Sequence, residues 1–191
     1  MDQHIVDGSA GELHARDLIA ESTEHGIVRP TVWWCRPTDP AIVVGSAQAR
    51  GACGAPPMPK TDAAGRPIIA RRSGGGAVLV GEDEGIWVDV VLGRDDPRWI
   101  DDVSHSADWL GRVWSRALAD LGVGGAEMYA GPVEGRWGPQ VCFAGRAGGE
   151  VLVGGRKLVG ISQRRTRLGA RFQTHVLRRW SVDPLIDVAV V

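Results

Sequence analysis

Most of this 191-residue chain is written in short β-branched or aromatic runs cut by Gly and Pro, and that punctuation restricts it to sheets of short strands. Thr31 to Cys35 and Ala41 to Val44 are two such runs, separated by Pro37 and Pro40. Ile68 to Arg72 reads as a strand entering Ser73-Gly74-Gly75-Gly76, and Ala77 to Val80 as a strand leaving it. Ile86 to Leu92 is a further strand, with Trp87 and Asp89 on one face. Glu150 to Val153, the Gly154-Gly155 pair and Arg156 to Gln163 form a hairpin by pattern, with Ala170 to Leu177 as partner strand. The clearest helix spans roughly Ser104 to Leu121, where Leu110, Val113, Trp114, Ala117, Leu118 and Leu121 make one apolar stripe that Gly122 ends. Ser9-Ala10-Gly11-Glu12 is a capping box before a second helix running to about Gly26, and Asp183-Pro184 opens a short terminal one. Residues 50 to 67, rich in Gly, Ala and Pro, read as a long loop. Strands dominate and crossover helices are few, so the expected fold is α+β, with a mixed, mostly antiparallel sheet.

Composition removes several classes of function. A formal net charge of −1 gives no global field for nucleic acid or a membrane surface. No apolar run reaches spanning length and the N-terminus lacks a signal-peptide pattern, so a cytoplasmic location is expected. Cys35, Cys53 and Cys142 are odd in number and form no C-x-x-C pair, which points to neither a disulfide framework nor a metal centre. Of 22 basic residues only Lys60 and Lys157 are Lys. A chain that uses Arg so consistently keeps a Lys where a compact ammonium is needed. Lys60 lies in a Pro-rich loop, whereas Lys157 sits in a strand-like segment behind two glycines.

Two constellations carry chemistry. Arg71-Arg72-Ser73-Gly74-Gly75-Gly76-Ala77-Val78 joins forked cationic donors to a loop whose backbone N–H groups form a nest for anionic oxygen; a hairpin loop with solvated arginines is the plainer reading. Gly155-Arg156-Lys157-Leu158-Val159-Gly160-Ile161-Ser162-Gln163-Arg164-Arg165 is the second. Strand alternation puts Lys157, Val159 and Ile161 on one face and Arg156, Leu158 and Gly160 on the other, with Gly160 leaving room for a group lying flat on the backbone. Its plainer reading is an edge strand with protective charges.

Together these stretches resemble the family of lipoate–protein ligases and octanoyltransferases, whose members carry R-R-x-S-G-G-G-A-V and later G-R-K-x-x-G-x-x-Q-x-R. Ile42 to Gln48 also looks like the family's early strand, and the resemblance runs over roughly residues 30 to 180. It implies the catalytic domain of class II biotin and lipoate synthetases, a sheet flanked by helices, as a single domain over residues 1–191 without a C-terminal accessory domain. Arg71, Arg72, Ser73, Gly74, Gly75, Gly76 and Ala77, with Gly160 and Glu150, would line the acyl and adenylate pocket, and Lys157 would reach the acyl carbonyl or phosphate oxygen. The implied ligase makes an acyl-adenylate with ATP and Mg2+, then acylates a lysine of a lipoyl domain or a glycine-cleavage H-type protein; an accessory subunit is a further implied partner. A biotin ligase fits less well, for want of a basic G-R-G-R-like adenylation loop.

The chain also departs from the ligase pattern. Leu79, Val80 and Gly81 stand where ligases carry an aromatic, a His and an Asp, and Gly149-Glu150 stands where they carry Asn-Asp. Val141-Cys142-Phe143, followed by Glu150 and Lys157, resembles instead the octanoyltransferases that use a cysteine on this loop. There a thiolate takes an octanoyl group from acyl carrier protein and passes it to the acceptor lysine, and needs no cofactor. A cationic Lys157 beside Cys142 would favour that thiolate; the plainer reading is a small buried hydrophobe. A non-catalytic acyl-binding homologue is the third alternative. Cys35 and Cys53 are expected to be structural, His175 a core or surface residue, and Trp33-Trp34 a candidate wall for an acyl tunnel. Arg178-Arg179 is a candidate contact for an acidic partner.

Overall fold

The computed structural model describes residues 1–51 and 58–189, so Cys53 and part of the 50 to 67 loop lie outside the described residues. In chain order the elements are β1 (Asp2–Gly8), α1 (Ala10–Ala15), α2 (Leu18–Glu21), β2 (Thr23–Glu24), β3 (Ile27–Val28), β4 (Thr31–Pro37), β5 (Ala41–Val44) and α3 (Ser46–Arg50). They continue with β6 (Ile68–Ala70), β7 (Val78–Val80), β8 (Gly85–Gly93), α4 (Asp108–Asp120), β9 (Ala126–Met128), β10 (Val151–Val153), β11 (Arg156–Arg165), β12 (Gly169–Leu177) and α5 (Ile186–Ala189). A seven-stranded sheet runs β1-β4-β8-β12-β11-β10-β9, antiparallel except for the β1–β4 pair, and a small sheet runs β6-β5-β7. The mixed, mostly antiparallel sheet is therefore as expected.

The central strand β8 is buried without interruption from Trp87 to Gly93, because both faces of the large sheet are covered. On one face α4 packs Leu110 against Val90, Leu92, Ala170 and Phe172. On the other, Leu13, Leu18 and Ile19 of the first two helices pack on Trp33, Cys35, Trp87 and Val91. The small sheet also lies toward this second side, so an interior space forms between two sheets.

Register explains what gathers there. Gly160, His175, Trp87 and Cys35 stand opposite one another across β11, β12, β8 and β4. Two residues along, Ser162, Gln173, Asp89 and Trp33 form a second row on the same face. The polar residues of these strands are thus collected by pairing, from positions scattered over 140 residues of chain.

Several elements differ from the sequence reading for identifiable reasons. The expected helix to Gly26 stops at Ala15: Arg16 is extended, with ψ 138°, and the Asp17 side chain accepts from Ala20 N–H to cap a new helix. Arg171 of β12 donates to Leu13 O at 3.1 Å and Arg16 O at 3.0 Å, satisfying carbonyls at the end of α1. In α4 the buried stripe is Leu110, Gly111 and Leu118, leaving Val113 55% and Leu121 80% exposed. Gly111 turns that face inward by letting the backbone at Gly149 approach it. β1 has a single buried residue, Val6, and no apolar alternation to announce it.

Candidate functional site

The glycine loop after β6 is held by its own chain. Arg71 is buried and donates to Gly74 O at 2.7 Å, Gly76 O at 3.0 Å and Val43 O at 3.4 Å. Its fork, expected to bind an anion, is committed to backbone carbonyls instead. Arg72 is exposed and is not brought into the site. A side chain on Gly76 would strike the backbone of Gln140 and Val141 at about 2.5 Å, so this glycine serves chain-to-chain packing, whereas Gly74 faces open space. Ala77 then donates N–H to Gln140 O at 2.8 Å and accepts from Cys142 N–H at 2.9 Å. The loop thereby fixes the backbone that carries Cys142. Ser73, also buried, donates to Gln173 Oε1 at 2.7 Å and lies 3.1 Å from Ser162 Oγ, tying the loop to the large sheet.

Lys157 reaches the same place by a break in strand alternation. Val151 pairs with Val159 and Leu152 with Lys157, which leaves Leu158 as an extra residue in β11, a β-bulge. Val159 and Leu158 both pack toward α4, in the cluster of Leu118 and Val176. Lys157 turns to the other face, the side of Gly160, contrary to the strict alternation expected from sequence. Its Nζ lies 2.9 and 3.0 Å from the two Glu150 oxygens, 4.0 Å from Cys142 Sγ and 5.2 Å from the centre of the Phe143 ring. Gly160 faces this group: a side chain there would contact Phe143 at 3.1 Å and Cys142 Sγ at 3.7 Å. Cys142 and Phe143 sit on a 3-10 turn, Cys142–Ala144.

Glu150 is almost fully buried, and burial pushes its carboxyl up while Lys157 opposes that shift. It also accepts from Ala147 N–H at 2.7 Å and Ile161 N–H at 3.4 Å. With its oxygens held this way it does not fit as a Mg2+ ligand, and no group of three acidic, His or Cys side chains with metal-binding geometry occurs among the described residues. Gly149, beside it, has φ +86° and would drive a side chain to 2.7 Å from Ala107, which accounts for a glycine where the ligase pattern has Asn.

Two cavities meet at Cys142. One of about 320 Å3 is lined by the Gly74–Gly76 loop, Arg146, Glu150 and Lys157, a surface suited to an anion. The other, about 50 Å3, runs inward between the sheets, walled by Val43, Val78 and Val80 on one side and Trp87, Gly160 and His175 on the other. A third hollow of about 730 Å3 opens beyond Phe143 and Lys157, with Arg156, Arg178, Arg179 and Trp180 on its wall. The expected tunnel is thus short inside, and Trp87 walls it. Trp33 packs beneath the first helices with Nε1 donating to Ser22 Oγ at 3.3 Å, and Trp34 is 40% exposed. Cys35 is buried, its thiol pushed up by burial.

Sequence reasoning missed His14, Ser162 and Gln173. Gln173 Nε2 lies 3.1 Å from His14 Nδ1, so one amide joins helix α1 to the glycine loop. Gln163 and Arg165, part of the second motif, turn away: Gln163 donates to Val103 O at 2.8 Å and Arg165 to Asp101 O at 2.9 Å, clamping the approach to α4.

Comparison with known proteins identifies the fold and the family. No curated protein matches the sequence. Among solved structures, a lipoate-protein ligase A bound with ATP superposes with TM-score 0.64 at 18% identity, over 97% of this chain and 70% of that one. A T. acidophilum structure with bound lipoic acid gives 0.63 at 19% identity, over 96% and 70%. A structure from the analysis of a bi-partite lipoate protein ligase and its E2 lipoyl domain from Thermoplasma acidophilum gives 0.60 at 18%, over 97% and 65%. These likenesses establish the fold, that of the class II biotin and lipoate ligase catalytic domains. The model of the lipoyl protein ligase A/B catalytic domain matches residues 11–189, from the capping box to the terminal helix, and the chain belongs to that family.

Proposed function

We propose that this chain transfers a lipoyl or octanoyl group to a lysine of a lipoyl-type acceptor protein, with Cys142 carrying the acyl group between donor and acceptor. The observation that carries this reading is the 4.0 Å approach of Lys157 Nζ to Cys142 Sγ, with Lys157 held by a buried Glu150. Cys142 packs against Val43, Val78 and Val80 on its inner side, and the ammonium meets its sulfur as well. The Cys142 thiolate attacks the carbonyl of an acyl thioester; the new C–S bond forms, the donor's breaks, and the leaving thiolate takes up the proton Cys142 released. The lysine amine of the acceptor then attacks the Cys142 thioester, an amide forms, and the sulfur leaves with a proton from the amine. Lys157 is the donor for the carbonyl oxygen as it becomes negative in both steps.

A second reading, an ATP-dependent lipoate ligase, is favoured by the Gly74–Gly76 loop beside the 320 Å3 cavity and by the likeness to an ATP-bound ligase. On that reading Lys157 and the loop meet an acyl phosphate, and Cys142 only packs. Mass spectrometry of a lipoyl domain separates the two. Acylation from octanoyl carrier protein without ATP, lost in Cys142→Ser, supports the transferase. Acylation requiring lipoate and ATP, retained in Cys142→Ser, sinks it in favour of the ligase. No modification under either condition leaves a non-catalytic acyl-binding homologue.

A further inference from the structure

Strand β12 turns three polar side chains inward in succession, and they are treated unequally. Arg171 is fully engaged by Asp89 and two helix carbonyls. Gln173 is engaged at both ends, by Ser73 and His14. His175 is not. Its Nδ1 and Nε2 are both sealed from solvent and have no hydrogen-bond partner among the described residues. The ring lies over Gly85, where any side chain would collide with it, and meets Phe143 edge-on with centroids 6.2 Å apart. It stands directly across the sheet from Gly160, whose open face touches Cys142. His175 therefore faces the small inner cavity at the point where an acyl chain held on Cys142 would enter it.

A purely hydrocarbon chain would seal both ring nitrogens away without partners, at the cost of two unsatisfied buried polar atoms. The His175 ring is held neutral, its pKa pushed down to about 4 by burial and by Arg71, so it offers one donor and one acceptor. A neutral imidazole of this kind pairs equally well with a hydroxyl or a carbonyl.

We propose that, among acyl groups of octanoyl length, this site prefers one with a hydrogen-bonding oxygen on its chain, a hydroxyl or oxo substituent that His175 recognises, over the plain saturated chain. The inference rests on acyl binding at Cys142 but concerns the chain rather than the nucleophile. Its test is calorimetric titration of the Cys142→Ala protein, which keeps the cavity and cannot be acylated, with octanoate and with its hydroxy and oxo derivatives at each chain position. At least one substituted acid should bind about tenfold tighter than octanoate, the factor expected for one satisfied buried hydrogen bond. His175→Leu in the same background should reverse that preference, and His175→Gln, which keeps a donor and an acceptor, should retain it. Equal binding of all the acids, binding of none, or a preference that survives His175→Leu overturns the inference, and ordered water then completes the ring. Loading of wild-type Cys142 from an octanoyl thioester is scored separately. Loading without any preference among acids defeats the His175 reading alone, whereas a preference without loading defeats the Cys142 reading alone.

Discussion

Two ion pairs are buried among the described residues, and they are built for opposite ends. Asp89–Arg171 is 0% and 6% exposed, Glu150–Lys157 4% and 5%. Arg171 distributes its fork over Asp89 Oδ2 at 2.6 Å and two carbonyls at the end of α1, and Asp89 also accepts from Trp87 Nε1 at 2.7 Å. Its donors are occupied, and none of the cavities that meet Cys142 or Lys157 is lined by it. Lys157 is held by one carboxylate and keeps its remaining side toward Cys142 and two cavities. The planar fork locks helices onto a sheet, whereas the compact ammonium is anchored from behind and left open in front. Burial of charge alone does not mark a site; an unfilled coordination direction does.

The largest expected effect falls on the open pair. Cys142→Ser should lower single-turnover transfer on the order of a thousandfold or more while the thermal unfolding midpoint stays close to wild type. Arg171→Met should do the reverse, leaving Asp89 buried without its partner and losing about 3–5 kcal/mol in urea unfolding. Its transfer rate per folded molecule should hold, and a variant that lost transfer but kept its stability would erase the distinction between the two pairs. Lys157→Arg sharpens the contrast further. The charge on Glu150 remains paired, so stability should change little, but transfer should fall about a hundredfold because the fork cannot deliver one compact donor. Lys157→Ala is the less informative change, since it strands Glu150 in the interior and costs stability as well as rate.

The smallest effect is a dependence on pH shared by neither pair. Burial holds His14 near 3 and His175 near 4, below the ordinary value of about 6.5, with Arg171 and Arg71 adding repulsion at His14 and Arg71 at His175. Both rings stay neutral in the fold and take up protons when it opens. Their contribution is present above pH 6.5 and is lost as pH falls toward those lowered values. Each ring should remove roughly 1 kcal/mol between about pH 7 and about pH 5.5. Urea midpoints measured across that range for wild type and His175→Leu test it: the variant should lose about half of the slope.

Helical periodicity made the long helix legible, and the Gly154-Gly155 pair between strand-like runs did the same for the hairpin and its partner β12. Both signals were silent on β1, an edge strand whose pattern is mostly polar, and on the early end of α1, which depends on an arginine 155 residues away. Lys157 could be found because lysine is scarce, and Cys142 because of its neighbours. Arg71 and the glycines looked like ligand contacts and are largely occupied in holding the chain, because a backbone that packs this closely needs the same residues as one that admits a ligand. Ser162, Gln173 and His14 carry no local signal; only strand register assembles them.

The extra residue at Leu158 has a further consequence. Which face of the sheet the lysine takes depends on a shift in counting rather than on its own identity. On a strand of strict alternation, three residues before Gly160 is the opposite face, and the same ammonium would lie among Leu118, Val159 and Val176, a reaction centre converted into a core defect. The letters K-x-x-G therefore specify a site only together with the bulge between them, which an aligned motif does not inspect.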